Sequence, residues 1–490
     1  MSTLKINPLL LTDFYKVGHP FQYPKCTTLV YSNLTPRKSR LDGVDEMVFF
    51  GLQYFIKEYL VSYFNENFFG RTKEDVLAEY KRRVKTSLGG DLPTYEHIEK
   101  LHDLGYLPIE IKALKEGSVV KMKTPVLTIV NTLPDFYWLT NFVESLMSAI
   151  LWQPSTSATV AREYRKILDK YADETGMPKE FVQWQGHDFS FRGMSSLESA
   201  VLSGMGHLLY FTGTDTIPAI DALEHYYNAN AENELIGGSV PATEHSVMCS
   251  GAKDGELETF RRLITEVYPN GIVSIVSDTW DLWKVCTEYL AELKEEILAR
   301  DGKVVIRPDS GDPVDIICGN QNGKTENERK GVIELLWDVF GGTKTDKGYK
   351  LLDSHIGAIY GDSITRQRAT EICQRLKDKG FASQVVFGIG SFTYQYNTRD
   401  TFGIAMKATY VEIGNEAREI FKNPITDDGT KKSATGLLSV KKENNEYILQ
   451  DKVNWEQEKE SELKTVFKDS KLLSDLTLSE IRELSKISRV

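Results

Sequence analysis

Apolar positions follow two rhythms along this chain. From about residue 181 onward, short apolar runs alternate with amphipathic stretches, and each run closes on Gly, Asp, Arg or His. A buried strand that ends in polar chemistry and hands over to a helix is the repeating unit of a parallel sheet or barrel. The predicted strand ends are His187-Asp188-Phe189 to Arg192, Gly213-Thr214-Asp215, Thr243-Glu244-His245, Ser277-Asp278, Arg307 to Asp309, Gly361-Asp362 and Gly388-Ile389-Gly390. Together they predict an irregular (β/α) barrel. Crossover helices are expected at Ser196 to Leu209 and at Gln367 to Lys379, the second capped by Thr365.

The other rhythm lies at the two ends. CTTLVYSNL reads as a strand, GLQYFIKEYLVSYF as a helix, and IEIKALKEGSVVKMKTPVLTIV as a strand pair. After about residue 400, MKATYVEI and LLSVKKENNEYIL read as antiparallel strands, the latter turning at Glu443-Asn444-Asn445. The predicted division is therefore a mixed α+β sheet domain, 1–149 joined by 401–490, beside a barrel domain over 150–400. Thr426 to Thr435 is expected to be a polar, mobile loop, and Glu456 to Glu460 a solvated surface.

One run carries more chemistry than the others. In VVIRPDSGDP, Val304 to Pro313, three β-branched residues give way abruptly to charge. Pro308 cannot continue a ladder and Ser310-Gly311 supplies a turn, so Arg307 and Asp309 are placed at the carboxyl end of a buried strand. In parallel α/β folds that end is where ligands bind.

Composition narrows the partners. With 490 residues, 41% hydrophobic, the chain has material for two cores. A formal net charge of -11 argues against nucleic acid or an anionic membrane as the main partner. An anionic substrate must then meet a local basic cluster. Cys26, Cys249, Cys286, Cys318 and Cys373 show no CxxC spacing, which fits a reduced, cytoplasmic protein without structural zinc. The apolar core Pro8 to Leu11 is too short for a secretory leader, and no run approaches the roughly 18 apolar residues of a membrane span.

Several strand ends suggest a site. Asp309 can accept from hydroxyls while Arg307 neutralises phosphate, although an Arg–Asp pair that merely fixes a loop has the same spacing. His245 lies between Glu244 and Ser246 and reads either as a base or phosphate acceptor, or as a core histidine bonded to backbone; Asp278 could orient it. Asp215 could accept from an amide or cap the following helix. Phe189 and Phe191, if on one strand, share a face, and at least one is expected in the core. Gly388 and Gly390 follow an apolar strand where backbone N–H groups can approach phosphate. Arg37, Arg399, Lys407 and Lys422 are candidate anion binders. No GxGxxG or GxxxxGKS/T is present, so dinucleotide and P-loop readings are weak.

Taken in order, TDFYK, FFGLQYF, YWLTNFVE, HDFSFRGMSSLE, GTDT, PATEHS, IVSD, IRPDSGDP and FKNP resemble the nicotinamide phosphoribosyltransferase family, across nearly the whole chain. The resemblance implies the type II phosphoribosyltransferase fold, an irregular α/β barrel beside a sheet domain, in a homodimer with shared active sites. It implies phosphoribosyl transfer from phosphoribosyl pyrophosphate to nicotinamide in NAD salvage. Phe189 and Tyr15 of the partner subunit would sandwich the pyridine ring, with Asp13 beside it, and Asp215 would accept from the carboxamide. Arg192 and Arg307 would line that pocket, Asp309 and Asp362 would bind ribose hydroxyls, and Gly390 and Ser391 would cradle phosphate. His245, with Glu244 and Asp278 nearby, resembles a histidine phosphorylated by ATP, and Arg37, Arg399, Lys407 and Lys422 would gather around phosphates. Mg²⁺ would bridge the pyrophosphate with no protein ligand assigned.

Two positions depart from the family pattern: Gly390-Ser391 stands where a tandem glycine is usual, and Ala405 where a serine is frequent. A nicotinate-specific transferase and a non-catalytic binding or signalling homologue remain as alternatives.

Overall fold

A computed structural model describes residues 5–414, 416–426 and 432–487. Five residues of the expected 426–435 loop, 427–431, lie outside them. The chain divides into two compact units, Met1–Thr159 with Ala222–Ala229 and Asn397–Lys486, and Val160–Asp221 with Asn230–Tyr396 and Ile487–Val490. All five cysteines are free. Among the described residues, no helix is long and apolar enough to cross a membrane.

The first unit is built on a seven-stranded sheet whose centre is antiparallel. Thr27–Thr35 pairs on one edge with Ala405–Ile413 and on the other with Leu127–Asn131, which in turn pairs with Ile109–Ala113. Ile109, Ile111 and Ala113 alternate inward with Glu110 and Lys112, the period-two pattern of a half-buried strand. The hairpin Leu437–Glu443 and Glu446–Val453 turns at Asn444 and Asn445, both at positive φ (50° and 65°), the conformation that the tightest hairpin turn demands. GLQYFIKEYLVSYF is helical, but the α-turn Leu52–Phe55 widens into π-turns over Ile56–Tyr63 and Asn65–Phe69.

The second unit carries six parallel strands: β1 Gly186–Asp188, β2 Gly213–Thr214, β3 Gly271–Val276, β4 Gly302–Arg307, β5 Ile356–Tyr360 and β6 Val385–Ile389. Their order is β2-β1-β6-β5-β4-β3, a curled parallel sheet. Its two edges are bridged by the segment 238–242, where Gly238 pairs in parallel with Gly213 on β2 and Ala242 with Ser274 on β3. That segment fills the place of the seventh strand expected before His245. It makes two isolated bridges rather than a ladder because Pro241 has no N–H to donate.

On β4 the pattern read from sequence is visible directly. Val304 and Ile306 are fully buried on the outer face, while Lys303, Val305 and Arg307 point to the concave side. The strand stops at Arg307, and Asp312 caps the next helix, Pro313–Cys318, by accepting from Val314 and Asp315 N–H. Helices Leu197–His207 and Arg366–Asp378 occupy the predicted crossovers, capped by Ser196 and Thr365.

Candidate active site

The strand ends of the second unit open onto a cleft of about 560 Å³. Phe189 follows β1 directly. Its ring lies 4.7 Å from the His187 ring, and the Arg307 guanidinium carbon stands 5.9 Å from its centroid. A Cβ on Gly388 of β6 would come within 2.5 Å of this ring, so glycine there leaves the space in which Phe189 sits. Phe189 and Phe191 do not share a strand: β1 ends at Asp188, and Phe191 begins a 3₁₀ turn, 41% exposed. The expectation that one of them packs in the core is corrected accordingly, since both line the cleft.

Asp215 does not cap a helix. Its Oδ1 sits 2.9 Å from His187 Nε2 and accepts from Ser239 Oγ at 2.6 Å. Burial pushes the carboxyl upward, but His187, Ser239 and Arg307 outweigh it and leave it below its ordinary range. With both bonds on Oδ1, the second oxygen takes no hydrogen bond from the described residues and is available to a donor. The sequence marks His187 only as part of a strand end, with no role in the site, and does not mark Ser239. A histidine preceding Phe189 gave a usable signal, whereas Ser239 gave none.

The second cluster surrounds Asp278, whose side chain is 4% exposed. One carboxylate oxygen faces His245 Nε2 at 3.2 Å. The other accepts from the Asp309 N–H at 2.9 Å and from Ser310 Oγ at 2.6 Å. Burial raises the Asp278 carboxyl, but these three donors overcome it and the net shift is downward. Asp309 moves the opposite way, raised by burial and by Asp278, with Arg307 and His245 opposing. Neighbouring carboxyls are thus driven apart, a pattern that marks functional sites. His245 begins a helix, His245–Ser250, instead of ending a strand, because the chain leaves the barrel wall at Ala242. Ser246 Oγ donates to the Glu244 carboxylate beside it.

Buried polar atoms without partners point into the same space. Arg307 Nε and Asp309 Oδ1 are both enclosed and unbonded. Leaving such a group unpaired costs about 1–3 kcal/mol, which a bound ligand would relieve. Asp362, bonded by Ser363 Oγ at 2.7 Å, and Arg192, Gly390 and Ser391 line the cleft as well. Ser391 packs against Gly193, where an added Cβ would come within 2.5 Å of the serine Cβ. Among the described residues, no group of three or more His, Cys, Asp or Glu is arranged to hold a metal. Asp309 and Asp362 nevertheless suit a magnesium ion that takes most of its ligands from a diphosphate, as one or two carboxylates suffice in such sites.

The remaining predicted residues belong to the first unit. Arg37, Lys407, Lys123 and Lys432 line a cavity of about 240 Å³, with Ala405 in its wall. Burial lowers the Lys407 ammonium; Glu144 opposes this, and Arg37, Lys422 and Arg399 add to it, so the four predicted cations are electrostatic neighbours. Arg37 Nε donates to Gly403 O at 2.9 Å, and Arg399 pairs with Asp400 at 3.3 Å. Tyr15 is 65% exposed, and Asp13 accepts from Ser145 Oγ.

Known proteins agree with this architecture. Residues 184–471 match the Nicotinate phosphoribosyltransferase (NAPRTase) family, and residues 7–111 match the N-terminal domain of nicotinamide phosphoribosyltransferase. A protein named nicotinamide phosphoribosyltransferase from Acinetobacter baylyi is 54% identical over 98% of this chain and 97% of its own length. One of the same name from Mycoplasma pneumoniae is 37% identical over 87% of the chain and 94% of its own length. Two solved structures share the fold. Nicotinate-nucleotide pyrophosphorylase from Pyrococcus furiosus has a TM-score of 0.59 at 15% identity, covering 99% of this chain and 97% of its own. Human nicotinic acid phosphoribosyltransferase has a TM-score of 0.52 at 14% identity, covering 97% and 92%.

Proposed function

This chain belongs to the nicotinate phosphoribosyltransferase family, and two relatives, 54% and 37% identical to it, are named for nicotinamide; from that premise we propose that it is a nicotinamide phosphoribosyltransferase of NAD salvage. The observation that carries the choice of nicotinamide is Asp215: an ionised carboxylate with one free oxygen, beside an aromatic ring, accepts from a carboxamide and repels a carboxylate.

Phe189 stacks on the pyridine ring and Arg307 reaches the ring and a phosphate. Asp309 and Asp362 hold the ribose hydroxyls, while Arg192, Gly390 and Ser391 contact phosphate. The ring nitrogen donates its lone pair to C1 of the ribose as the C1–O bond to pyrophosphate breaks, and the electron pair leaves with the diphosphate. A pyridine nitrogen carries no proton, so the step needs no base. The work of Asp309 is therefore positioning, and the main terms are alignment and charge stabilisation. Mg²⁺, when bound, neutralises charge on the departing diphosphate.

His245 is the proposed acceptor of phosphate from ATP. With Nε2–H held by Asp278, Nδ1 presents the lone pair. Asp278 also holds the Asp309-Ser310 turn, which offers a direct link between the state of His245 and the ribose contact. The exposed Tyr15, with Asp13 and the Arg37, Arg399, Lys407 and Lys422 cluster, fits a homodimer in which one chain completes its partner's site. Product formation from phosphoribosyl pyrophosphate and nicotinamide, with and without ATP, tests the reading; absence of nicotinamide mononucleotide under both conditions refutes it.

A further inference from the structure

Two ends of the cleft have to be held at a fixed separation. The ring nitrogen of the base and C1 of the ribose react only when both are correctly placed, and a misplacement of about 1 Å can cost about 100-fold in rate. The base end is set by β2, which leads directly into Asp215, and the phosphate end by Gly390 and the single helical turn Ser391–Tyr394 that follows β6. In the sheet β1 lies between β2 and β6, so no ladder joins these two strands directly.

A buried histidine joins them instead. His207 closes the helix Leu197–His207, and both it and Tyr394 are buried. Its Nε2 faces the Gly213 carbonyl oxygen on β2 at 2.9 Å, and its Nδ1 faces the Tyr394 hydroxyl at 2.6 Å. A carbonyl oxygen can only accept, so Nε2 carries the proton and Nδ1 accepts from the Tyr394 O–H. Burial holds the imidazole below its ordinary range; Asp188 and the Gly213 carbonyl oppose this, and His187 adds to it. The ring is therefore neutral, the form that donates on one side and accepts on the other. Phe211 stacks on the imidazole at 5.2 Å, and the Tyr394 ring meets it edge-on at 5.8 Å. Near the start of the same helix, Gln395 accepts from Ser195 N–H at 2.8 Å and from Ser199 Oγ at 3.2 Å, so the phosphate turn is held from both ends.

We propose that His207 is a positioning residue for phosphoribosyl transfer: its paired hydrogen bonds to Gly213 and Tyr394 fix the phosphate turn Ser391–Tyr394 against the strand end at Asp215. Neither His207 nor Tyr394 is among the residues that line the cleft, so the role is exerted through Asp215 on one side and Ser391 on the other. This inference rests on the proposed reaction. When the link is cut, base and phosphate each keep their own contacts, and what is lost is their alignment. Such a loss falls on kcat and leaves each KM nearly unchanged.

Steady-state kinetics of Tyr394→Phe, which keeps the ring and removes only the hydroxyl, tests this. Its kcat should fall about tenfold or more, while KM for nicotinamide and for phosphoribosyl pyrophosphate each stays within about threefold of wild type. His207→Gln should show the same split, because its amide N–H₂ can still donate to the Gly213 carbonyl but nothing replaces Nδ1 as acceptor. Adding Tyr394→Phe to His207→Gln should then change kcat by less than about threefold. A folded Tyr394→Phe enzyme with kcat within about threefold of wild type, a loss confined to KM, or a double variant in which the two losses multiply would overturn the proposal. A wild type that forms no nicotinamide mononucleotide would overturn the proposed reaction and this role with it, whereas an active wild type beside an unaffected Tyr394→Phe variant overturns the role alone.

Discussion

Replacing Asp215 with asparagine isolates the specificity argument. The side chain keeps its shape, and an amide oxygen can still accept from His187 and Ser239 at the observed 2.9 and 2.6 Å. What changes is the open position, where a charged acceptor becomes a neutral donor. Losing a charge-assisted hydrogen bond costs about 1.5–3 kcal/mol. The Asp215 side chain is 47% exposed, so the lower figure applies and kcat/KM for nicotinamide should fall about tenfold. For nicotinate the change is favourable. Two carboxylates about 4 Å apart repel by about 4 kcal/mol at an effective dielectric of about 20. Arg307 offsets part of this, and relief of about 1–3 kcal/mol corresponds to a gain of roughly 5–150-fold. The ratio of the two specificity constants should therefore move toward nicotinate by about two orders of magnitude. Initial rates with each base, at saturating phosphoribosyl pyrophosphate, measure it. A folded Asp215→Asn enzyme with an unchanged ratio would refute the assignment.

Four further outcomes are expected. Gly388→Ala forces a Cβ to within 2.5 Å of the Phe189 ring and should cost about 1–3 kcal/mol of stability while raising KM for nicotinamide; an unaltered KM would show that Phe189 does not seat the base. Burial holds the Glu116 carboxyl up to about 7 from 4.5, against hydrogen bonds from Gln53 and Gly51 N–H and Tyr227 OH. Its folded pKa is the higher one, so its contribution to stability is fully present below about 4.5 and lost as pH rises through about 7, by about 3 kcal/mol. Urea unfolding should accordingly show wild type losing ground to Glu116→Gln across that interval, and a pH-independent difference would contradict this. His245→Ala should abolish ATP hydrolysis yet retain some basal transfer, and label from γ-phosphate appearing on that variant would exclude His245 as acceptor. Mixed Tyr15→Ala and Asp309→Ala subunits should recover part of the activity; proven exchange without recovery would rule out shared sites.

Much of the catalytic unit was legible because strand ends advertise themselves. Arg307 and Asp309 follow a β-branched run that no charged residue interrupts, and Pro308 fixes where the ladder stops. The parallel sheet and both crossover helices follow from the same contrast between apolar runs and capped amphipathic stretches. What escaped was whatever depends on a neighbour in space. Ser239 matters only because the 238–242 segment brings it to Asp215, and Gly388 only because Phe189 packs on it. Asp278 could be suggested as a partner for His245, but its grip on the Asp309-Ser310 turn is a contact between two strand ends that sequence spacing does not encode. Lys303 reads as an ordinary strand lysine until β4 is seen to point it inward.

The proposed enzyme transfers phosphoribosyl to nicotinamide in preference to nicotinate. The most direct measurement places both bases at equal concentration in one reaction with phosphoribosyl pyrophosphate and Mg²⁺, and separates the two mononucleotides by chromatography. Nicotinamide mononucleotide should dominate, with pyrophosphate formed in equal amount. Dominance of nicotinic acid mononucleotide, or the absence of both products, would contradict it.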